Sequence, residues 1–389
     1  MHHYDISKRE LATPNLTIGK LLKIAAESKD IISLGPGEPD FNAPKKVISF
    51  TKKALDKGLT HYSPLSGTKN AKNAIAGKLK RFNKIRVKNP DEEVIVTNGS
   101  TEALFLSMMV MLDPGEEILL PNPGFMAYTP MAELLNAKPV YYGFDHGDAF
   151  KLHVDELERK VTANTRMLLL NTPSNPLGTV LTKKELEGVL EVAVEHDLVI
   201  VSDEAYEELV YDDAKHVSIG SLNGAEDYVL TLGTVSKTYA MPAYRIGYAA
   251  GPAEVIREMG KAHLSTSLCA SSFSQEAAAF ALSGNVEKDV ERMRKEYNRR
   301  RKLIVSRLNE IEGFDCVEPK GAFYAFPRFD FNMSSLEFAE WLLKNAKVAV
   351  VPGTEFGSKG EGFVRMSYAT AYDKIGKAMD LIEKAVKRL

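Results

Sequence analysis

From Val94 to Gly251 the chain alternates short apolar runs with longer stretches whose apolar residues recur at helical spacing. The runs Val94–Thr97, Glu117–Leu120, Pro139–Tyr142, Met167–Leu170, Leu198–Ser202, Tyr228–Leu232 and Ile246–Ala250 are rich in Val, Ile and Leu and read as strands. Several are apolar throughout, the pattern of a strand covered on both faces. Between them Leu181–His196 reads as a helix, with Thr182 and Glu185 spaced as a capping box. The alternation predicts an α/β large domain: a mostly parallel seven-stranded sheet flanked by helices.

After about Gly284 the pattern changes. Val286–Ile311 reads as one long, heavily charged helix. Short strands follow at Ala322–Phe326 and Phe363–Tyr368, with helices near Ser335–Lys344 and Tyr372–Lys387. This predicts a smaller α+β domain. The expected division is 1–41 as an N-terminal arm and part of the small domain, 42–283 as the large domain, and 284–389 as the small domain. The turn-rich run Gly35-Pro36-Gly37-Glu38-Pro39-Asp40 is expected to bring the start of the chain back to the small domain. A cleft between two such units is where a ligand is expected.

Composition narrows the function mainly by exclusion. Fifty Lys and Arg against fifty-two Asp and Glu leave a formal charge of −2, which offers no electrostatic footprint for nucleic acid or an anionic membrane. Apolar stretches such as Leu104–Leu112 fall well short of the roughly 20 residues a membrane span needs. The start, Met1–Glu10, is polar, so no secretory signal is expected and the setting reads as cytoplasmic. Two cysteines, Cys269 and Cys316, exclude a disulfide framework. The eight histidines are scattered without an HExxH helix, and no GxSxG elbow occurs, so neither a metal centre nor a serine nucleophile is expected.

In open α/β sheets, ligands bind beyond the carboxyl ends of the strands. After Val94–Thr97 comes Asn98-Gly99-Ser100-Thr101, a glycine turn opening a helix over Glu102–Leu112. Such a turn is a natural phosphate cradle, though a plain βα turn looks the same. After Met167–Leu170 comes Asn171-Thr172-Pro173-Ser174-Asn175-Pro176-Leu177-Gly178, a rigid loop with the Asn175 amide near its tip. After Leu198–Ser202 comes Asp203-Glu204-Ala205-Tyr206, where Asp203 is otherwise read as a helix cap. After Tyr228–Leu232 comes Gly233-Thr234-Val235-Ser236-Lys237, and eight residues later Arg245. A lysine in such a run is otherwise a snorkelling surface group. Each bland reading is respectable alone, but chance must then supply a polar group at four successive strand ends.

Asn175-Pro176-x-Gly178, Asp203-x-x-Tyr206 and Ser236-Lys237 followed by Arg245-Ile246-Gly247 together resemble the fold-type I, class I/II pyridoxal-phosphate aminotransferases. The resemblance runs from Ile32-Ser33-Leu34-Gly35-x-Gly37-Glu38-Pro39-Asp40-Phe41 to Gly362-Phe363-Val364-Arg365-Met366-Ser367-Tyr368, and is nearest to archaeal aromatic and aspartate aminotransferases. It implies pyridoxal 5′-phosphate as cofactor. Lys237 would hold it as a Schiff base and shuttle the substrate's α-proton, Asp203 would pair with the pyridine nitrogen, and Tyr206 and Asn175 would hydrogen-bond the ring oxygen. Phe125 would stack on the ring. Ser100, Thr101, Thr234 and Arg245 would hold the phosphate, joined by Tyr62 from a neighbouring subunit, which implies a homodimer with shared active sites. Arg365 would clamp the substrate α-carboxylate, beside Gly37.

Some positions depart from the family pattern. Leu177 stands where Thr is common, Thr234 replaces a more usual Ser, and Pro242 precedes Arg245 in a loop where many members differ. Thr101 replaces a lysine that some aspartate-specific relatives use for a side-chain carboxylate, which argues against strict aspartate specificity. The expected reaction is amino transfer between an L-amino acid, aromatic or bulky apolar, and a 2-oxo acid such as 2-oxoglutarate. The alternatives are an aspartate or broad-specificity aminotransferase, or a C–S lyase on the same scaffold. A regulator module carrying this domain would need a DNA-binding extension, and the roughly forty residues before the match contain no basic recognition helix.

Overall fold

All seven runs pair into one sheet in the computed structural model, which describes residues 7, 10, 28 and 30–389. A two-residue strand, β1 (Ile32–Ser33), precedes it. The sheet strands are β2 (Val94–Thr97), β3 (Glu117–Asn122), β4 (Lys138–Gly143), β5 (Thr165–Asn171), β6 (Val199–Asp203), β7 (Val229–Thr234) and β8 (Gly247–Ala250). Their order is β2-β8-β7-β6-β5-β3-β4, with β8 antiparallel to both neighbours and the other pairs parallel. Most strands run past the apolar stretches at their carboxyl ends. The ladder continues through polar residues there, as in the pair Asn171↔Asp203, because backbone pairing does not require an apolar side chain.

Successive strand residues point to opposite faces, and the core follows that alternation. Ile118, Leu120, Met167, Leu169 and Val201 pack under the helices Ser100–Met111 and Ala253–Thr266. Leu119, Leu168, Leu170 and Ile200 face the other way, onto Leu186, Val189 and Leu190 of the helix Lys183–Glu195. Both faces are therefore dry, which is why the runs carry no polar alternation. The capping box at Thr182 and Glu185 forms in full.

The long charged helix spans Glu287–Glu310, and the helices after it cover Ser335–Asn345 and Tyr372–Val386. The expected strands here are shorter than the sequence suggested. The remaining strands are β9 (Phe314–Asp315), β10 (Tyr324–Ala325), β11 (Arg328–Phe329), β12 (Val348–Ala349), β13 (Val351–Pro352) and β14 (Val364–Ser367). β14 lies between β10 and β13, and β1 pairs in parallel with β12. The described part of the N-terminal segment thus joins the C-terminal region, while most of the expected arm lies outside the described residues.

Sheet register gathers the functional ends. β3, β5, β6 and β7 run parallel, so Asn122, Asn171, Asp203 and Thr234 all end at one edge. Gly247, where β8 begins, pairs with both Thr97 and Thr234. The antiparallel strand therefore brings the preceding Arg245 to the same edge.

Candidate active site

A cavity of ≈ 270 Å³ opens at that edge, between the sheet and the C-terminal region. Lys237, Asp203, Tyr206, Asn175, Phe125, Ser100, Thr101, Gly37 and Arg365 line it, so nine positions singled out in the sequence converge on one space. Thr234, Arg245 and Tyr62 are not among its lining residues.

Lys237 follows β7 by three residues and is no snorkelling group. Its Nζ donates to the Gly37 carbonyl at 2.6 Å. Burial, then the neighbouring Arg365 charge, pull its pKa down from the usual 10.5 to about 8. The sign has a consequence for stability. A lysine whose pKa falls on folding stabilises the fold fully only above pH 10.5, and that contribution is lost as pH falls toward 8. Lys237→Met in cofactor-free protein is therefore expected to raise stability at pH 7 by on the order of 2 kcal/mol, with the gain narrowing between pH 8 and 10. Urea unfolding of both proteins across that range measures it, and a pH-independent difference would refute the assignment.

Asp203 ends β6 beneath the cavity. Its Oδ2 accepts from the Tyr128 hydroxyl at 2.8 Å and its Oδ1 from the Ala205 amide at 3.2 Å. Burial pushes its pKa up, and those two hydrogen bonds and Lys237 oppose the rise. The cap-like contact to Ala205 is present, yet the carboxylate also lines the cavity. Asn171, paired with Asp203, donates through Nδ2 to its carbonyl and accepts the Asn175 amide on Oδ1. That bond sets the Asn175 loop.

Arg365 lies on β14, buried, with no ion pair among the described residues. Its Nη1 donates to Asn175 Oδ1 at 3.0 Å and its Nη2 to the Gly35 carbonyl at 2.6 Å, while Nε has no partner among the described residues. The Tyr324 ring lies 4.4 Å and the Phe356 ring 4.8 Å from the guanidinium carbon. A buried cation with a vacant N–H, facing a cavity, is ready for a carboxylate.

The glycine turn after β2 forms a separate corner. Gly99 has φ +86°, and a Cβ there would run into the Arg245 guanidinium. Arg245 folds over the turn, donating to the Asn98 carbonyl at 3.2 Å. Glu102 secures the turn from behind, its Oε2 accepting the Asn98 amide at 2.6 Å. Burial acts to raise the Glu102 pKa, but the His263 ring 3.3 Å away and hydrogen bonds from Ser267 and the Asn98 amide hold it at about 2. Ser100 and Thr101 open the following helix, where N–H groups precede the first internal hydrogen bonds. The Thr234 hydroxyl donates to the Ile246 carbonyl at 2.9 Å and accepts the Ser236 amide, bracing the Ser236-Lys237 segment. Tyr62 is 84 % exposed and does not line the cavity.

Sequence reasoning missed several lining residues. Tyr128 opens a short helix, Tyr128–Leu134, and lies edge-on to Phe125 at 5.5 Å; its only signal was its position three residues after Phe125. Tyr324 comes from β10 and had no local signal. Behind Asp203, a buried cluster also escaped notice. Asn83 Nδ2 donates to Glu204 Oε2 at 2.8 Å and Glu207 Oε2 at 2.6 Å, Lys78 pairs with Glu207, and His216 lies 3.0 Å from Glu204. Ligand atoms of Glu204, Glu207 and His216 lie within 4.8 Å of one another, but Lys78 and Asn83 already engage these carboxylates.

Among known proteins, a family model described as "Aminotransferase class I and II" matches residues 29–382. An aspartate aminotransferase of Pyrococcus abyssi is 48% identical over 380 residues, covering 97% of each chain. An aromatic-amino-acid aminotransferase 2 of Thermococcus litoralis is 47% identical over 380 residues, again 97% of each. A crystal structure of an aromatic aminotransferase from Pyrococcus horikoshii superposes with a TM-score of 0.90 at 47% identity, covering 95% of this chain and 99% of that one. No helix among the described residues is long and apolar enough to cross a membrane.

Proposed function

The chain belongs to the class I and II aminotransferases, which use pyridoxal 5′-phosphate, and from that premise we propose how its residues divide the chemistry and which amino acids it takes. It is a transaminase, exchanging an amino group between an amino acid and a 2-oxo acid. The residues suit the cofactor: a half-buried amine of lowered pKa, a buried carboxylate, an aromatic ring and a glycine-opened helix end surround one cavity. When bound, the cofactor supplies an electron sink for the substrate's α-carbon.

Lys237 Nζ would anchor the cofactor and take the substrate's α-proton; its lowered pKa suits it to act as both nucleophile and base. Asp203, whose carboxylate accepts from the Tyr128 hydroxyl and the Ala205 amide, would pair with the pyridine nitrogen and hold a proton there. The Tyr206 hydroxyl and the Asn175 amide nitrogen would donate to the ring oxygen, and Phe125 would pack against the ring. Ser100, Thr101, Thr234 and Arg245 would hold the phosphate. The guanidinium of Arg365 binds the α-carboxylate, and Gly37 leaves room for the substrate. The single observation that carries this reading is the meeting of half-buried Lys237 with buried Asp203 and Arg365 in one cavity.

Aromatic or bulky apolar amino acids are the proposed donors and 2-oxoglutarate the acceptor. Among the described lining residues the cations are Lys237 and Arg365. Phe125, Met126, Tyr128 and Tyr324 give the cavity an aromatic and apolar wall. The relative named aspartate aminotransferase favours a second reading, an aspartate or broad-specificity enzyme. Exposed Tyr62, with Ile48, Leu55 and Leu59 also exposed nearby in sequence, supports a homodimer in which Tyr62 reaches the partner's phosphate. The proposed division is 42–283 as the large domain and 284–389 with the N-terminal segment as the small one. A cytoplasmic setting belongs to the same proposal and accords with the two free thiols.

Absorbance of the holoenzyme during addition of single L-amino acids, with no oxo acid present, tests this. Phenylalanine, tyrosine and leucine are expected to convert the yellow cofactor form to the amine form more efficiently than aspartate. Preferential conversion by aspartate would establish the second reading. Pyruvate release from cysteine-type substrates without conversion would mean a lyase.

A further inference from the structure

Tyr206 is not alone in the cavity. Its hydroxyl lies 2.8 Å from that of Tyr324, and the two rings meet edge-on at 5.7 Å and 78°. Strand pairing produces this contact. β10 runs antiparallel to β14 with Tyr324 opposite Ser367, and Arg365, two residues before Ser367, shares its face of the strand. The Tyr324 ring consequently sits against the guanidinium that the substrate carboxylate would reach. The phenol fits because residue 37 is glycine: a Cβ there would come within 2.5 Å of the Tyr324 oxygen.

Resting on the reading of Tyr206 as a donor to the cofactor's ring oxygen, we propose that Tyr324 is a positioning residue. Its hydroxyl donates to Tyr206 and thereby orients and strengthens the hydrogen bond Tyr206 gives the ring oxygen. A hydroxyl has one proton and two lone pairs. If Tyr206 spends its proton on the ring oxygen, the proton between the two phenols comes from Tyr324. The Tyr324 ring meanwhile rests 4.4 Å from the Arg365 guanidinium carbon, which fixes the side from which its hydroxyl reaches Tyr206. Accepting a hydrogen bond polarises the Tyr206 O–H and makes it a better donor. A stronger donor at the ring oxygen favours negative charge there and hence loss of the proton from the nitrogen joining Lys237 to the cofactor. Tyr324 then links the carboxylate clamp to the acidity of the cofactor's attachment.

The test is a pH titration of the visible absorbance of four holoenzymes: the parent, Tyr324→Phe, Tyr206→Phe and the double variant. Tyr324→Phe keeps the ring against Arg365 and deletes only the hydroxyl. It is expected to raise the titration midpoint by several tenths to about one pH unit, the size one hydrogen bond represents. Tyr206→Phe is expected to raise it further, and the double variant no further than Tyr206→Phe alone. If Tyr206→Phe shifts the midpoint and Tyr324→Phe does not, the role of Tyr324 is wrong while that of Tyr206 stands. A Tyr324→Phe shift that adds in full to that of Tyr206→Phe means Tyr324 acts by another route, and the proposal fails. No shift in Tyr206→Phe removes the reading of Tyr206 and this inference with it.

Discussion

Replacement of Lys237 by alanine is expected to slow the half-reaction with any amino acid by at least about 10³-fold, because covalent anchor and α-proton base are lost together. General-base contributions alone are typically worth 10²–10⁴-fold. Neighbouring groups cannot stand in. Tyr206 and Tyr324 are phenols whose burial pushes their pKa values up, so neither is a base near neutral pH. Asp203 is committed to Tyr128 and Ala205. Retained positive charge does not rescue the variant either: Lys237→Arg keeps a cation but has no neutral amine to attack or accept a proton. Two readouts separate the roles. Borohydride treatment followed by intact-protein mass should add the cofactor's mass to the parent and not to Lys237→Ala. Single-turnover absorbance should show the slow conversion. Near-normal turnover in the variant would take Lys237 out of the mechanism.

The large sheet was legible because its strands are buried on both faces. A strand such as β5 has no polar option at Met167, Leu168, Leu169 or Leu170, so the requirement is written in consecutive letters. The C-terminal strands were harder. β10 is only Tyr324–Ala325, held as much by the neighbouring β14 as by its own pattern. The same difference separates the site residues that could be found from those that could not. Asp203 and Lys237 stand at or just past strand ends, where topology sends ligands, so position in sequence predicts position in space. Tyr128 and Tyr324 matter through hydrogen bonds to residues 75 and 118 positions away, and no local spacing encodes such a partner. Thr234 shows the converse case. Its place in the motif predicted a phosphate ligand, and the geometry also gives its hydroxyl a local task, bonding Ile246 and Ser236.

Arg365→Ala should lower kcat/KM by about 10²- to 10³-fold for amino acids and oxo acids alike, whatever their side chains. Truncating one partner of a buried, hydrogen-bonded charge pair costs about 2–5 kcal/mol, and each 1.4 kcal/mol is a factor of ten. The loss should be uniform because the group recognised, the α-carboxylate, is common to every substrate. The unliganded protein should not suffer in proportion. Arg365 is buried without an ion pair among the described residues, and burial lowers its pKa, so the cation is costly to the fold until a carboxylate arrives. Melting temperature in cofactor-free protein is therefore expected to change little or to rise. The gain from losing an unpaired charge offsets the lost bonds to Gly35 and Asn175. Arg365→Lys should recover only part of the activity, since an ammonium cannot match both carboxylate oxygens as the guanidinium fork does. An effect confined to one substrate would make Arg365 a side-chain determinant. The cavity would then need another cation for the α-carboxylate, and among its described lining residues the only other is Lys237.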